Sequence, residues 1–323
     1  MDWAASSAFR RQVLEARQKR VRRQIQSFQP PHLVQPLIIV SAPRAGSTLL
    51  LETLANFPEL WTIGEESHEI FEGIPALHPA AHGYVSNGLG AADLTPALAE
   101  QLCDRFARQL RDRTGRLWIE LPSQEQPAAV RLLEKTPKNA LRIPFLQALF
   151  PDARFLFLHR TPAENIASIL DGWQSRRFIA YHALPGWPPG AWSFLLTPGW
   201  EQLVGRPLVE VAVQQWRVAN ETILADLAAL PREQWLAVRY ADLVAFPQLT
   251  VRRIAAFASL HWDAGVEQAL SNPLPLSRMT FSAPSSEKWR QYASEIVPRL
   301  PDLELLARKL GQLGEDGIVH PVG

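Results

Sequence analysis

A turn between an apolar strand and a helical run carries the first residues that could do chemistry. The apolar run Leu37–Val40 leads into the turn 41–46 (SAPRAG), and a helical pattern extends over 47–56. Backbone N–H groups at the start of such a helix point at a bound anion, and the helix dipole adds to the attraction. The turn therefore predicts a phosphate site with Arg44 as its cation, although the pattern also fits an ordinary turn with a serine N-cap.

The turn differs from two well-known nucleotide-binding loops. The P-loop of nucleoside triphosphatases needs Gly-x-x-x-x-Gly-Lys-Ser/Thr, but Ser41 and Ser47 stand at the first glycine and at the lysine. Without that lysine the loop is poorly suited to gripping β- and γ-phosphates with magnesium. The Gly-x-Gly-x-x-Gly pattern of dinucleotide oxidoreductases is also absent. A ligand with one 5′-phosphate and one further anionic group fits the turn better.

A second strand-to-helix junction strengthens this prediction. The apolar run 153–158 ends at His159 and Arg160, and Pro162 occupies a position typical of a helix start. Ser168 follows in the same helical pattern, so Arg160 and Ser168 can point to one spot at the carboxyl end of the sheet. Ligands bind at that end in open α/β sheets. We therefore expect a second anion contact beside the first.

Strand-like and helical patterns alternate along the chain, which argues for a parallel sheet with helices packed on it. The expected fold class is α/β, a P-loop-like three-layer fold with a central, mostly parallel sheet flanked by helices. We expect a basic helical arm at 1–30 and one α/β domain at 31–323. Strands are expected at 37–40, 117–121, 130–134, 153–158 and 235–239, and helices at 47–56, 96–113, 140–149, 163–172, 208–229 and 250–260.

Composition limits the class of protein. The 323 residues hold 33 Lys and Arg against 32 Asp and Glu, and this net charge of +1 gives no indication of a nucleic-acid-binding protein. The arm at 1–30 carries +5, which leaves −4 on residues 31–323. The single cysteine, Cys103, excludes an intrachain disulfide and cysteine-cluster metal sites. No apolar run reaches the roughly 18–20 residues that span a bilayer, so no transmembrane segment is expected.

The two junctions together resemble the cofactor motifs of sulfotransferases that use 3′-phosphoadenosine 5′-phosphosulfate (PAPS), in particular the bacterial and tyrosylprotein branches. The run 43–48 (PRAGST) is similar to the motif that holds the 5′-phosphosulfate, and the Arg160/Ser168 pair is similar to the motif that holds the 3′-phosphate. Later matches are a strand-end tyrosine in RYADL and a lysine in SSEKW. The cofactor-binding residues that the resemblance implies are Arg44, Ala45, Gly46, Ser47, Thr48, Arg160, Ser168, Tyr240 and Lys288.

The same resemblance implies catalytic roles. The segment WTIGEES is similar to the family's Gly-Glu-Glu segment, in which a glutamate is the base, so Glu66 is the expected base and Glu65 the alternative. Lys135, in EKTPKN, is similar to the lysine that reaches the transferred group, and Arg44 would neutralise charge there. His68 lies two residues past Glu66 and either lines the acceptor pocket, assists the base or is structural. No metal is implied.

One position departs from the family pattern, and one segment stands apart. Where the tyrosylprotein branch has a second arginine after the Arg/Ser pair, this chain has Gly172, which disfavours a peptide-tyrosine acceptor. The segment 183–200 holds three tryptophans, four prolines and three glycines, so it is not a regular helix. Its tryptophans either cap an apolar acceptor or are structural. Lys138 is expected to be a surface charge.

The expected reaction is transfer of a sulfuryl group from PAPS to a hydroxyl of a small-molecule, lipid or sugar acceptor, with a cytoplasmic location. Two alternatives stay open at this point. The first is a P-loop kinase or other nucleotide phosphotransferase, which would need magnesium and ATP. The second is a non-catalytic nucleotide-binding scaffold, in which the basic arm docks a partner. The arm also fits contact with a membrane surface.

Overall fold

The structure is a computed structural model that describes residues 29–188, 190–280 and 287–315. The basic arm expected at 1–30 lies almost wholly outside the described residues, as does the segment 281–286 that precedes Lys288. The helical arm therefore stays a prediction. Within the described ranges, no helix combines the length and apolar character needed to cross a membrane.

A parallel sheet lies at the centre of the described chain. The strands are β1 (His32–Leu33), β2 (Leu37–Val40), β3 (Leu60–Trp61), β4 (Ala129–Lys135), β5 (Arg154–His159), β6 (Ile179–Tyr181), β7 (Trp192–Ser193) and β8 (Trp235–Arg239). In the sheet, β2 pairs with both β4 and β5, β5 pairs with β8, and β1 and β3 add to β4, all in parallel. The short strands β6 and β7 form a separate antiparallel ribbon.

Helices follow the strands, as the sequence predicts for a parallel sheet. They are α1 (Ser47–Leu54), α2 (His68–Glu72), α3 (Pro96–Ala107), α4 (Ile143–Leu149), α5 (Pro162–Ser175), α6 (Leu208–Ala228), α7 (Tyr240–Ala245), α8 (Pro247–Ala258), α9 (Ala264–Ala269), α10 (Ala293–Ile296) and α11 (Glu304–Glu315).

The sheet is covered on both faces, which explains why β2 is apolar at every position. Ile38 and Val40 pack into one hydrophobic cluster, together with α4, α5 and α6, whereas Leu37 and Ile39 pack into a second cluster with α1 and α8. All four side chains are at most 1% exposed. Helix, sheet and helix therefore form three layers, and the expected α/β fold class is confirmed. The carboxyl ends of β2, β4, β5 and β8 meet at one edge.

Two expectations about elements are wrong. The segment 117–121 is not a strand; Trp118–Glu120 is a single 3₁₀ turn. The strand β4 pairs with β1, β2 and β3, and the segment 117–121 pairs with no strand of the described sheet. The Trp118 indole N–H donates instead to the Pro127 carbonyl at 3.1 Å. The helix expected at 96–113 ends at Ala107, after which the chain turns back to pair Arg111 with Thr62.

Candidate active site

The turn after β2 leaves the start of α1 open to an anion. Arg44 and Gly46 have positive φ angles of 62° and 105°. The Asn165 side-chain amide on α5 donates to the Pro43 carbonyl at 2.7 Å and ties the turn to the second junction. Gly46 is the N-cap of α1, and no side chain caps that end. The first backbone N–H groups of α1 are therefore available to an anion that the turn encloses.

Tyr240, at the start of α7, packs directly on this turn. A Cβ atom at Gly46 would lie 2.4 Å from Cδ2 and Cε2 of the Tyr240 ring, so only glycine allows the contact. The Arg160 guanidinium lies over the same ring, 4.6 Å from its centroid. Three separate parts of the sequence, at the ends of β2, β5 and β8, are thus stacked against each other, and the two predicted anion contacts lie side by side.

A cavity of about 550 Å³ opens at this edge of the sheet. It extends from the turn and α5 to the short helix α2. Three predicted site residues do not line the cavity. Glu65 is exposed, whereas Ala45 and Lys135 are buried. The predicted site residues that line the cavity are Arg44, Gly46, Ser47, Thr48, Glu66, His68, Arg160, Ser168, Tyr240 and Lys288.

Glu66 lies between two cationic or proton-donating groups. Its Oε1 forms an ion pair with Nζ of Lys135, whose side chain is only 1% exposed, and its Oε2 lies 2.8 Å from Nε2 of His68. Burial by itself would raise the pKa of Glu66, but the hydrogen bond from His68 and the charge of Lys135 outweigh it and lower that pKa to about 2. Glu66 is therefore an oriented, ionised carboxylate on the cavity wall.

A second carboxylate, Glu134, which the sequence analysis did not single out, holds the segments of Glu66 and Lys135 in place. Glu134 on β4 is 2% exposed and accepts hydrogen bonds from the hydroxyls of Ser67 at 2.6 Å and Thr136 at 2.7 Å. The Thr136 hydroxyl in turn accepts from the Ser67 backbone N–H at 2.7 Å. Because Ser67 follows Glu66 and Thr136 follows Lys135, this network fixes the two paired residues relative to each other. Burial raises the pKa of Glu134.

Lys138 is not a surface charge, so that expectation is wrong. Its side chain is 3% exposed, and its Nζ donates to both carboxylate oxygens of Glu72 at 2.8 and 2.7 Å. Arg142 and the Tyr181 hydroxyl donate to the same carboxylate at 3.0 and 3.2 Å. Burial lowers the pKa of Lys138 to about 8, against the charge of Glu72. These contacts hold α2, which begins at His68 and contains Glu72, against Tyr181 of β6.

Side-chain contacts also hold Arg44 and Lys288 in place at the cationic end of the cavity. The Arg44 guanidinium stacks on Phe178, 4.5 Å from the ring centroid. Burial lowers the pKa of Arg44 to about 10, while the nearby charge of Asp171 opposes this, so the group stays protonated near neutral pH. Asp171 on α5 forms an ion pair with Lys288 and accepts from the Tyr292 hydroxyl at 2.7 Å. Lys288 thus connects the late segment of the chain to the cavity wall.

The structure explains the departure at Gly172. A Cβ atom at Gly172 would lie 2.3 Å from Cζ of Phe194, so no larger side chain, least of all arginine, fits there. Of the two arginines that follow, Arg177 lines the cavity, whereas Arg176 lines a separate cavity of about 300 Å³. Position 177 therefore supplies a positive charge to the cavity wall that position 172 cannot supply.

The tryptophans of segment 183–200 are buried rather than presented to the cavity. Trp187, Trp192 and Trp200 are 6%, 0% and 3% exposed and pack on each other, with ring centroids 4.9 Å apart for Trp187 and Trp192. Phe194 and Leu195 of the same segment line the cavity instead. The three tryptophans therefore have a structural role, and the neighbouring Phe194 and Leu195 form the apolar part of the cavity wall. Among the described residues, no group of three or more potential metal ligands occurs.

Comparison with known proteins shows which family and which curated proteins this chain is similar to. The family model described as "Sulfotransferase family" matches residues 36–264. The nodulation protein NoeE of Sinorhizobium fredii is 28% identical over 252 residues, which are 72% of this chain and 53% of that protein. The protein-tyrosine sulfotransferase of Drosophila melanogaster is 23% identical over 306 residues, 88% of this chain and 53% of that one. The chain thus spans about half the length of these two curated relatives.

Solved structures of sulfotransferases are also similar. The sulfotransferase domain from the curacin biosynthetic pathway has a TM-score of 0.43 at 19% identity, covering 82% of this chain and 98% of that one. Mouse sulfotransferase SULT7A1 complexed with PAP has a TM-score of 0.43 at 13% identity, covering 87% and 90%. The match of the family model to most of the described chain, over both junctions and the segment that carries Glu66, means that this protein belongs to the sulfotransferase family.

Proposed function

We propose that this enzyme transfers the sulfuryl group of PAPS to a hydroxyl of a small-molecule, lipid or sugar acceptor, with Glu66 as the base. One observation carries the proposal: the two junctions predicted to bind anions and the carboxylate of Glu66, whose pKa is lowered to about 2, line one cavity. A donor with two separate phosphate groups needs two anchors, and an acceptor hydroxyl needs a proton acceptor within hydrogen-bond reach.

The residues present fit a nucleotide with a 5′ and a 3′ anion. Gly46 provides a cradle that a Cβ atom would fill, and the start of α1 has no side-chain cap. Arg44 and the amides of Ser47 and Thr48 would hold the 5′-phosphosulfate. Arg160 and Ser168 would hold the 3′-phosphate. The Tyr240 ring, stacked between the turn and Arg160, would lie beside the adenosine, and Lys288 would close the site.

Sulfuryl transfer resembles phosphoryl transfer, in which the enzyme mainly positions the reactants and neutralises charge. PAPS supplies the sulfuryl group: a bond forms from the acceptor oxygen to sulfur, the sulfur–oxygen bond to the 5′-phosphate breaks, and its electron pair stays on that phosphate. Arg44 and the amides of α1 stabilise the growing negative charge there. Glu66 orients the acceptor hydroxyl and receives its proton.

The acceptor would bind at the α2 end of the cavity, next to Glu66 and His68. The wall there combines the Glu72–Lys138 ion pair with the side chains of Phe194 and Leu195. Such a wall suits an acceptor that has both apolar surface and hydrogen-bonding groups. The relatives include a nodulation protein and protein-tyrosine sulfotransferases, so they indicate no single acceptor class for this chain. A cytoplasmic location stays a prediction.

A thermal-shift experiment tests the donor site. Adenosine 3′,5′-bisphosphate (PAP) should raise the melting temperature without magnesium, by the equivalent of about 2.7 kcal/mol at a hundred times its dissociation constant. Arg160→Ala should abolish most of this shift, since Arg160 lines the cavity. The control is Arg252→Ala, which removes an exposed ion pair with Glu267 that does not line the cavity. It should leave the shift unchanged.

Other results would contradict the donor assignment or favour a phosphotransferase or a non-catalytic scaffold. No shift with millimolar PAP would contradict the donor assignment. A shift that appears only with ATP and magnesium would favour a phosphotransferase. Binding of PAP without any transfer from labelled PAPS, across a metabolite extract analysed by mass spectrometry, would favour a scaffold.

A matched pair of variants tests the base. Glu66→Gln keeps the shape of the side chain but removes the proton acceptor, so turnover should fall by at least about 100-fold with PAP affinity unchanged. Glu65→Gln is the control, because Glu65 is exposed and lies off the cavity wall. An inactive Glu65→Gln beside an active Glu66→Gln would move the base by one residue.

A further inference from the structure

A second cavity of about 300 Å³, the ribbon cavity, lies between α5, α6 and the ribbon of β6 and β7. Trp173, Ser193 and Val211 lie on its wall, one from each of these elements. Ile179 lines both this cavity and the active-site cavity, whereas Phe194, the residue after Ser193, lines only the active-site cavity. The ribbon is therefore the wall that separates the two cavities.

Two tryptophan rings give the ribbon cavity a fixed aromatic corner. The rings of Trp173 and Trp187 have centroids 6.3 Å apart and are tilted by 55°. The Trp173 indole N–H donates to the side-chain oxygen of Gln215 at 2.9 Å, and the side-chain amide of Gln215 donates to the Ser193 carbonyl at 2.9 Å. Trp192 packs on both rings, with centroids 5.2 and 4.9 Å away. A flat apolar group would therefore meet a corner whose walls are already held in place.

Two arginines supply the charge of the ribbon cavity. Arg176 and Arg206 are exposed and lie on its wall, and no acidic side chain lies there among the described residues. Neither arginine forms an ion pair with a carboxylate in the part of the chain that the structure describes. A cleft lined by charges of one sign concentrates ions of the other sign, and the planar guanidinium matches a carboxylate through two parallel hydrogen bonds. The ribbon cavity therefore combines an aromatic corner with a positively charged rim.

Two features of this wall are unfavourable for folding. Arg176 ends α5 at a φ of 55°, a left-handed conformation that favours glycine, so arginine destabilises this helix end. The indole N–H of Trp187, whose side chain is only 6% exposed, has no acceptor among the described residues. A buried donor without an acceptor is also destabilising. Strained residues and unpaired polar groups of this kind are concentrated at functional sites, and a ligand with acceptor oxygens can give both groups a partner.

We propose that the ribbon cavity binds a small aromatic carboxylate, with its ring system in the corner of Trp173 and Trp187 and its carboxylate at Arg176 and Arg206. A cavity of about 150 Å³ accommodates one benzene ring. The volume of about 300 Å³ therefore suits a ligand of one or two rings. This inference goes beyond the proposed function and does not depend on the identity of the donor, because none of the predicted cofactor-binding residues lines the ribbon cavity.

Isothermal titration calorimetry of the full chain with 2-naphthoate, a two-ring carboxylate, tests the inference. We expect saturable binding with a dissociation constant of about 0.1–1 mM, which is a modest binding energy for each atom of the probe. The neutral 2-naphthamide has the same shape and should bind at least about tenfold more weakly, because the charge-assisted hydrogen bonds are lost. Saturating PAP should not compete with 2-naphthoate, because the predicted cofactor-binding residues lie outside the ribbon cavity.

Two arginines that are adjacent in the sequence locate the probe. Arg176→Gln should weaken 2-naphthoate binding about tenfold, because it removes a charged partner of the carboxylate. Arg177→Gln is the matched control and should change the affinity less than about twofold, because Arg177 lines the active-site cavity and not the ribbon cavity. Arg206→Gln should behave like Arg176→Gln. Ala191→Phe, which fills the ribbon cavity with a ring, should abolish binding.

Three results would overturn the inference. The first is the absence of saturable binding up to about 5 mM 2-naphthoate, and the second is equal affinity for 2-naphthamide. The third is competition by PAP, or a loss of binding in Arg177→Gln and not in Arg176→Gln, either of which would assign the probe to the active-site cavity. If Ala191→Phe does not fold, the variants of the exposed Arg176 and Arg206 give the same comparison. Failure of the unmodified protein to bind PAP would contradict the proposed function alone, and the 2-naphthoate titration would still be readable.

Discussion

Replacing Gly46 by alanine tests how the turn, Tyr240 and Arg160 depend on each other. The new Cβ atom would lie 2.4 Å from two atoms of the Tyr240 ring, and the backbone would stay at a φ of 105°. The left-handed conformation alone costs about 1–2 kcal/mol for a residue with a Cβ. Displacing a packed ring adds about 1–3 kcal/mol. We expect Gly46→Ala to lower the free energy of unfolding by about 2–5 kcal/mol.

Gly115→Ala is the matched control. Gly115 has a φ of 85°, and nothing lies within 4 Å of the Cβ position. This variant therefore carries the backbone strain without the clash and should lose only about 1–2 kcal/mol. Urea unfolding followed by circular dichroism measures both variants. The difference between them is the contribution of the Tyr240 contact.

Nucleotide binding gives the second measurement for Gly46→Ala. Moving the Tyr240 ring would also remove the platform under Arg160, which lies 4.6 Å from its centroid. PAP affinity should therefore fall at least tenfold in Gly46→Ala, or about 1.4 kcal/mol, and not in Gly115→Ala. Tyr240→Ala in the Gly46→Ala background should recover part of the lost stability, because the clash is gone. Equal stability losses in the two glycine variants, with unchanged PAP affinity, would refute the reasoning.

Three further changes test other features of the molecule. Lys138→Met should destabilise the protein by about 3–5 kcal/mol in urea unfolding, because it leaves the Glu72 carboxylate short of a buried partner; a surface lysine would cost under about 0.5 kcal/mol. Asp226→Asn should stabilise the protein by about 1 kcal/mol at pH 7 and by less at pH 4 in the same measurement. Burial raises the pKa of Asp226 to about 6, so the folded protein carries this unfavourable charge only above that pH. His159→Asn should flatten the loss of stability on going from about pH 6.5 to pH 4. Burial and the charges of Arg239 and Arg253 lower the pKa of His159 to about 4, so the unfolded chain binds the extra proton in that range, and urea midpoints at several pH values would reveal the change.

The sequence was sufficient to predict the four longer strands of the sheet, β2, β4, β5 and β8, because their signals are local. A fully apolar run such as Leu37–Val40, followed at once by a glycine turn and a helical pattern, is typical of a strand buried on both faces. The carboxyl ends of parallel strands meet at one edge, so Arg44 and Arg160 were expected to lie close together. Both arginines line the same cavity, which agrees with that reasoning.

The burial of Lys138 could not be predicted in the same way. Its partner Glu72 lies 66 residues away in the sequence, and the Tyr181 hydroxyl lies 43 residues away. A lysine beside a proline in a short polar run is typical of a solvated turn. The position of Lys135 behind Glu66 likewise depends on how the segment before α2 packs on the end of β4. Neither residue type nor spacing contains that information.

The ribbon of β6 and β7 has a consequence for how this enzyme could be diversified. Among the described residues its strands pair with each other and not with the central sheet. Ile179 and Ala180, with the adjoining Phe178, nevertheless form part of the cavity wall. Exchanging Ile179 and Ala180 for the residues of a relative would therefore change the shape of the cavity wall without altering the central sheet. Phe178, Tyr181 and Trp192 are positions to keep in such an exchange. Arg44 stacks on Phe178, the Tyr181 hydroxyl contacts Glu72, and Trp192 is buried in the core.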